Sequence, residues 1–145
     1  MGGSEVEDQR YHGPAKRLLS ATALVLVAWL VRRRPFVVAV EGSSMAPTLQ
    51  DGDLLVAARR GRVHKGSLVL IEHPSQPGFE MVKRVEAMAG DRSGEWFLGA
   101  DQYFVLGDDP SASTDSRQFG PIAGSAIRGV VRARYWPPSR VRLFG

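Results

Sequence analysis

The 145-residue chain contains no cysteine. That excludes disulfides, a thiolate nucleophile and any metal site built on cysteine. Histidine is nearly as scarce, with His12, His64 and His73 alone. None of the three has an evident carboxylate to orient it as a catalytic base, and an exposed surface position is the simpler account of each. Also missing are internal repeats, low-complexity tracts, an interdomain linker and any long segment of helical period. The helix-turn-helix pattern of a DNA-binding regulator is absent too, so no nucleic-acid partner is expected. A hydrophobic content of 43% and a charged content of 23% are ordinary for a folded protein. The length suits one compact domain with a short appendage.

Long apolar runs are limited to one. The stretch "KRLLSATALVLVAWLVRRRP" carries no charge from Leu18 to Val31, and only Ser20 and Thr22 are polar there. As a helix rising about 1.5 Å per residue it would span about 21 Å, short of the roughly 30 Å hydrocarbon core. Lys16, Arg17 and Arg32 can extend its reach by snorkelling toward the headgroups. A cleaved signal peptide needs a small-residue cleavage site after such a run, whereas "WLVRRR" is bulky and then cationic. The charged shoulders also disfavour a buried helix of a soluble protein. A polar tail over residues 1–14, a transmembrane anchor helix over 15–34 and a folded domain over 35–145 are therefore expected. Single-pass membrane attachment through lipid contact follows from that division. Lys16 and Arg17 face Arg32, Arg33 and Arg34 across the run, so flanking charge does not set the orientation. Arg59, Arg60, Arg62 and Lys65 tilt it toward a cytoplasmic domain.

Beyond Pro35 the signals are those of strands. Short runs rich in valine, isoleucine and aromatic residues alternate with Gly, Pro and Asp turns. The expected strands are Phe36–Val40, Leu54–Ala58, Ser67–His73, Glu80–Met88, Glu95–Leu98, Tyr103–Leu106 and Ile127–Trp136. A mainly β domain follows.

Three polar clusters fall at strand ends: "GSSMAPT", "KRVEAMAGD" and "GDDPSASTDSR". A nucleophilic serine needs a base within hydrogen-bond reach and donors for the oxyanion that forms. With histidine disfavoured, lysine is the alternative. An unperturbed lysine, with a pKa of about 10.4, is less than about 1% neutral at pH 8, so a lysine base must be largely desolvated. In "EMVKRVE" the strand period puts Lys83 on one face with Met81 and Val85. Periodicity leaves two accounts equal: a desolvated base, or an edge-strand lysine reaching past its neighbours to water. Ser43 and Ser44 are likewise equal candidates for the nucleophile by composition.

Taken together and in order, these motifs resemble those of type I signal peptidases, membrane-bound serine proteases with a Ser–Lys dyad. The likeness covers most of residues 35–145 and implies a compact, signal-peptidase-like β catalytic core preceded by one N-terminal hydrophobic helix. "SMAPTLQDGD" matches the nucleophile motif and selects Ser44, with Met45 lining the substrate groove; ordinary core packing is the plainer account of Met45, and the two are compatible. "VKRVEAMAGD" matches the general-base motif and selects Lys83. "GDDPSASTDSRQFG" matches the last box, which gives Ser113 the task of orienting the lysine. Asp115 and Arg117 then brace the site as a charge pair, with Arg84 beside them. The resemblance implies neither a metal nor an organic cofactor, and a protein precursor as substrate.

Two departures stand out. Many relatives carry, two residues before the nucleophile, a serine whose hydroxyl serves the oxyanion hole; here that position is Gly42. The large insert common between base and last box is reduced to Arg92–Leu106, and Asp109 replaces a frequent asparagine. The short length and the ending "RARYWPP" resemble a subgroup that matures nickel-type superoxide dismutase by removing its propeptide. That subgroup suits a cytoplasmic domain, and a general signal peptidase suits an extracytoplasmic one. Two further accounts compete: a LexA-like self-cleaving protein, which would need a DNA-binding segment, and an inactive membrane-associated binding protein.

Overall fold

A computed structural model describes residues 35–145. The anchor expected over 15–34 lies outside the described residues. Among those described, no helix is long and apolar enough to cross a membrane.

Among the described residues ten strands dominate. They are β1 (Pro35–Ala39), β2 (Leu54–Ala58), β3 (Leu68–His73), β4 (Gln76–Met88), β5 (Arg92–Ser93), β6 (Trp96–Phe97), β7 (Gln102–Leu106), β8 (Ile122–Ala123), β9 (Ile127–Trp136) and β10 (Arg142–Leu143). One short helix, α1 (Ser116–Phe119), precedes β8. The main sheet runs β1-β2-β9-β3-β4-β7-β8, with β10 beside β9, and β5 and β6 form a separate ribbon. Every pairing in the main sheet is antiparallel. The mainly β expectation holds.

Strand β3 explains why its sequence is an unbroken apolar run rather than an alternating one. Leu68 and Leu70 enter one core cluster with Val40, Leu49 and Val82. Val69 and Ile71 enter a second with Val85, Val105 and Val130. Both faces of the strand are covered, so both need apolar side chains.

Strand β4 begins four residues earlier than the sequence suggests, because Pro77 and Gly78 read as a turn. Gly78 has φ +83° and its N–H donates to the Glu72 carboxylate, 2.8 Å away. A register shift between Glu72 and His73 absorbs the irregularity, so pairing with β3 survives the proline. Strands β5, β8 and β10 are two residues each, too short to leave a periodic signal.

Two open strand edges shape the main concavity. Among the described residues β1 pairs with β2 alone, leaving one edge open. β4 pairs with β7 only from Arg84 onward, so its segment up to Lys83 also has an open edge. Val40, which follows β1, and Val82 of β4 meet in the same core cluster. The sheet therefore curls until these two open edges face a common cavity of about 410 Å³.

A buried ionic knot ties the loop after β1 to the C-terminal segment. Asp53, 1% exposed, accepts from Arg140 at 2.6 Å and from Arg134 at 3.1 Å. It also accepts the Gln50 N–H at 2.9 Å, while Arg134 donates to the Thr48 carbonyl at 2.7 Å. A carboxylate so deeply buried is tolerated because cations and a backbone donor replace its water.

Candidate active site

The segment that follows β1 is a compact run of turns. The Ala46 N–H donates to Ser43 O and the Leu49 N–H to Met45 O, and the Ala46–Pro47 peptide is cis. Met45 is 2% exposed and packs with Leu49 in the first core cluster, so it anchors the turn from below while also bordering the cavity. Ser44 is held at the cavity wall, its carbonyl accepting the Asp109 N–H at 3.0 Å. Met45 is thus both a core residue and a residue of the cavity wall. Ser43 is exposed and does not border the cavity, and Ser44 does.

Lys83 lies on β4 between Met81 and Val85, both of which pack in the second cluster. It is only 2% exposed. Burial pushes its amine below the ordinary lysine range, and the Arg117 charge acts in the same direction, against the pull of Asp115. Lys83 borders the same cavity as Ser44. Among the described residues, no hydrogen bond joins their side chains.

The amine is held from the other side. Lys83 Nζ lies 3.0 Å from Ser113 Oγ, which in turn lies 2.7 Å from Asp115 Oδ2. Asp115 is fully buried, and burial alone would raise its pKa. Hydrogen bonds from Arg117, the Gly107 N–H and Ser113 outweigh that and hold it well below the usual carboxylate range. An ionised carboxylate only accepts, so the single hydroxyl hydrogen of Ser113 goes to Asp115. Ser113 Oγ must then accept a hydrogen from Lys83. The lone pair of a neutral Lys83 is consequently not used by Ser113 and is left for another proton.

Asp115 has a third task. It caps α1, accepting from the Arg117 N–H, while the Asp115 N–H donates to Gln118 Oε1 at 2.8 Å. Arg117 also clamps the carboxylate through Nε and Nη2 at 2.8 and 2.6 Å. The helix cap and the charge pair thus use one residue, which fixes Ser113 two positions upstream.

Arg84 does not join that pair. It donates from Nε and Nη2 to Asp108 at 2.8 and 2.7 Å, and to the Gly66 carbonyl at 2.9 Å. The reason is strand alternation: Arg84 emerges on the face opposite Lys83, where Asp108 and Thr48 stand. Its role is to tie β4 to the loop after β7, one step removed from the amine.

Gly42 is exposed, with φ +81°, and its N–H donates to Asp51 at 2.7 Å. A serine is strained in that conformation, which accounts for the glycine at this position. Two residues escaped the sequence reading. Gly107 sits so close to its neighbours that an added Cβ would stand 2.2 Å from Ser113 Oγ and 2.6 Å from Ser44 O. Asp108 is the partner of Arg84. Both lie in the flagged "GDDP" stretch, but no local pattern reveals which neighbours they meet.

The histidines stay apart from the cavity. His64 Nδ1 lies 2.9 Å from the Lys65 carbonyl, and His73 stacks edge-on against Phe119 while accepting the Ser75 N–H. His12 lies outside the described residues. Among the described residues there is also no group of three His, Asp or Glu side chains able to hold a metal ion.

Comparison with known proteins places the chain in a family. Residues 13–95 and 92–136 match the family described as signal peptidase, peptidase S26. The mitochondrial ATP-independent inner membrane protease subunit 1a of Arabidopsis thaliana is 38% identical over 116 residues, covering 68% of this chain and 69% of its own. The human mitochondrial inner membrane protease subunit 1 is 34% identical over 117 residues, covering 71% and 70%. Subunit 2 of the Danio rerio protease is 29% identical over 134 residues, covering 81% and 73%. The chain belongs to the signal peptidase family of peptidases, S26.

Proposed function

We propose that this peptidase is a membrane-anchored serine endopeptidase that removes signal peptides or propeptides, with Ser44 as nucleophile and Lys83 as general base. The observation that carries this is the Lys83 amine. It is buried, its charge is disfavoured, and Ser113 holds it on the wall of a cavity that Ser44 shares.

In this mechanism a substrate segment lies extended in the cavity, where the open edges of β1 and β4 offer backbone partners. Lys83 takes the Ser44 proton as Oγ bonds to the scissile carbonyl carbon. The resulting ammonium protonates the leaving amine, and the peptide bond breaks to leave an ester on Ser44. Lys83 then takes a proton from water, whose oxygen attacks the ester, and returns it to Ser44. The Ser44 backbone N–H serves the oxyanion, since Gly42 brings no hydroxyl and its N–H is engaged by Asp51.

The apolar run at 18–31, with its charged shoulders, is the single-pass anchor over residues 15–34. The relatives are named as inner membrane protease subunits, which supports a membrane location and assembly with a partner subunit. An anchor beside the bilayer raises the effective concentration of membrane-held precursors. The stretch "RARYWPP", Arg132–Pro138, is the feature that favours a second substrate, the propeptide of nickel-type superoxide dismutase, with the domain on the cytoplasmic side.

The test uses the full chain in detergent micelles with an exported precursor and a nickel-type superoxide dismutase precursor. Ser44→Ala and Lys83→Ala each abolish cleavage, whereas His64→Ala and His73→Ala retain it. Strong loss in a folded histidine variant overturns the lysine base. Reporter fusions at both termini decide the side of the membrane.

A further inference from the structure

We propose that Glu41 and Glu80 make the cavity selective for substrate segments carrying a lysine or arginine within about three residues of the scissile bond. This rests on the reading of the cavity as the peptide-binding site.

The walls of the cavity are largely apolar, with Val38, Val40, Leu70 and Val82 along them. Glu41 and Glu80 nevertheless border the cavity too, three positions before Ser44 and Lys83 respectively, with Glu80 on the face of β4 that carries Val82, opposite Lys83. Along β4 that separation is about 10 Å, the reach of a substrate side chain two or three residues from the reacting carbonyl. Both glutamates are exposed. Among the described residues, neither has a cation within salt-bridge distance.

Arginines of β4, β9 and α1 are engaged in ion pairs of their own. Glu72, opposite Glu80 in the sheet, takes Arg128. Asp108 takes Arg84 and Asp115 takes Arg117. Lys83, the remaining basic group on the cavity wall, is pushed toward its neutral form. The groove is therefore anionic in a protein whose formal net charge is +4. A cationic substrate side chain near either glutamate gains a carboxylate partner there, and an anionic one meets repulsion.

The apolar floor adds a condition. Lysine and arginine can lay their methylene stems on Val38 or Val82 while the charged tip reaches a carboxylate. A short polar residue gains neither contact.

The experiment is cleavage by the full chain in neutral detergent of a fluorogenic peptide library. Mass spectrometry locates the scissile bond, and Lys, Gln or Glu is then placed at each of the three residues on either side. The expected result is roughly 10-fold higher kcat/KM for Lys than for Glu at one of those positions. That ratio shrinks in 0.5 M salt, as screened exposed charges require. In Glu80→Gln or Glu41→Gln the ratio of Lys to Gln substrates falls toward one, and in Glu80→Lys it inverts. Equal rates for all three residues, an acidic preference, or a ratio unchanged by salt and by both neutral variants overturns the inference while leaving the protease itself standing. Should a variant fail to fold, the wild-type substrate series and its salt dependence decide alone. Cleavage that persists in Ser44→Ala, or no cleavage of any peptide, overturns the function and this selectivity with it.

Discussion

The Lys83 amine nitrogen lies 3.0 Å from the hydroxyl oxygen of Ser113, a residue thirty positions later in the chain. Because Ser113 spends its hydrogen on Asp115, this contact holds the amine by one N–H and leaves its lone pair unused. Removing the hydroxyl should free the amine to rotate. We expect Ser113→Ala to lower kcat by about 10²-fold, within the usual range for a positioned base, with KM little changed. Ser113→Thr keeps a hydroxyl and should recover part of the rate. An alanine variant with full kcat would show that Lys83 is placed by packing alone.

Burial sets a pH dependence with a definite sign. The folded pKa of Lys83 is depressed below its ordinary 10.5, mainly by desolvation. Activity should therefore rise with pH through an inflection lying below 10.5, as the amine loses its proton. Between the folded and unfolded pKa values the unfolded chain binds more protons, so stability also rises with pH in that window. Lys83→Met removes the penalty. Urea unfolding at a series of pH values should show the variant most stabilised relative to wild type at low pH, with the advantage vanishing as pH approaches 10.5. A constant difference would mean that the amine is no harder to charge in the fold than outside it.

Asp115 shows the same sign of linkage in the acid range. Its folded pKa is depressed below 3.8, despite burial, by Arg117, the Gly107 N–H and Ser113. Its contribution is fully present above the unfolded value and fades as pH falls through the folded one. Asp115→Asn should cost about 2 kcal/mol at pH 7, the scale of a charge-assisted hydrogen bond. Chemical denaturation should find that gap narrowing as the pH falls below about 3.8. A gap independent of pH would assign the loss to the helix cap and not to the charge.

Gly107 is the tightest point of the site. A methyl group there meets the Ser113 hydroxyl and the Ser44 carbonyl at once, and the second of these is backbone that cannot swing away. Gly107→Ala should destabilise by about 1–3 kcal/mol, as overpacking does, and displace both reactive walls. We expect a folded but strongly impaired enzyme. Thermal melting combined with single-turnover kinetics would separate the two effects, and full activity would show that the loop after β7 can retreat without disturbing Ser44.

How far the site could be read in advance depended on the range of the forces involved. Leu54–Ala58 and Ile127–Trp136 were recovered at their full extent, because apolar and β-branched runs bounded by turn residues declare themselves locally. The start of β4 was missed, since the hydrogen bond between Glu72 and Gly78 that lets a strand pass Pro77 is invisible to a local pattern. For Lys83, alternation gave its face but left desolvated base and solvent-reaching edge residue evenly matched. The motif resemblance puts Arg84 beside Asp115 and Arg117, but alternation sends it to the opposite face, where Asp108 waits.

The amino-acid sequence alone determined the strand-rich character, the face of β4 on which Lys83 emerges, and the ordered motifs shared with the peptidase family. All of these depend on neighbours within a few residues, or on order along the chain. Only the tertiary structure decided that the amine is dry, that its hydrogen goes to Ser113 and that its wall also carries Ser44. Burial and charge pairing are set by whatever folds alongside. Here that means segments such as Val40, Ser44 and Ser113, dozens of positions from the lysine they surround.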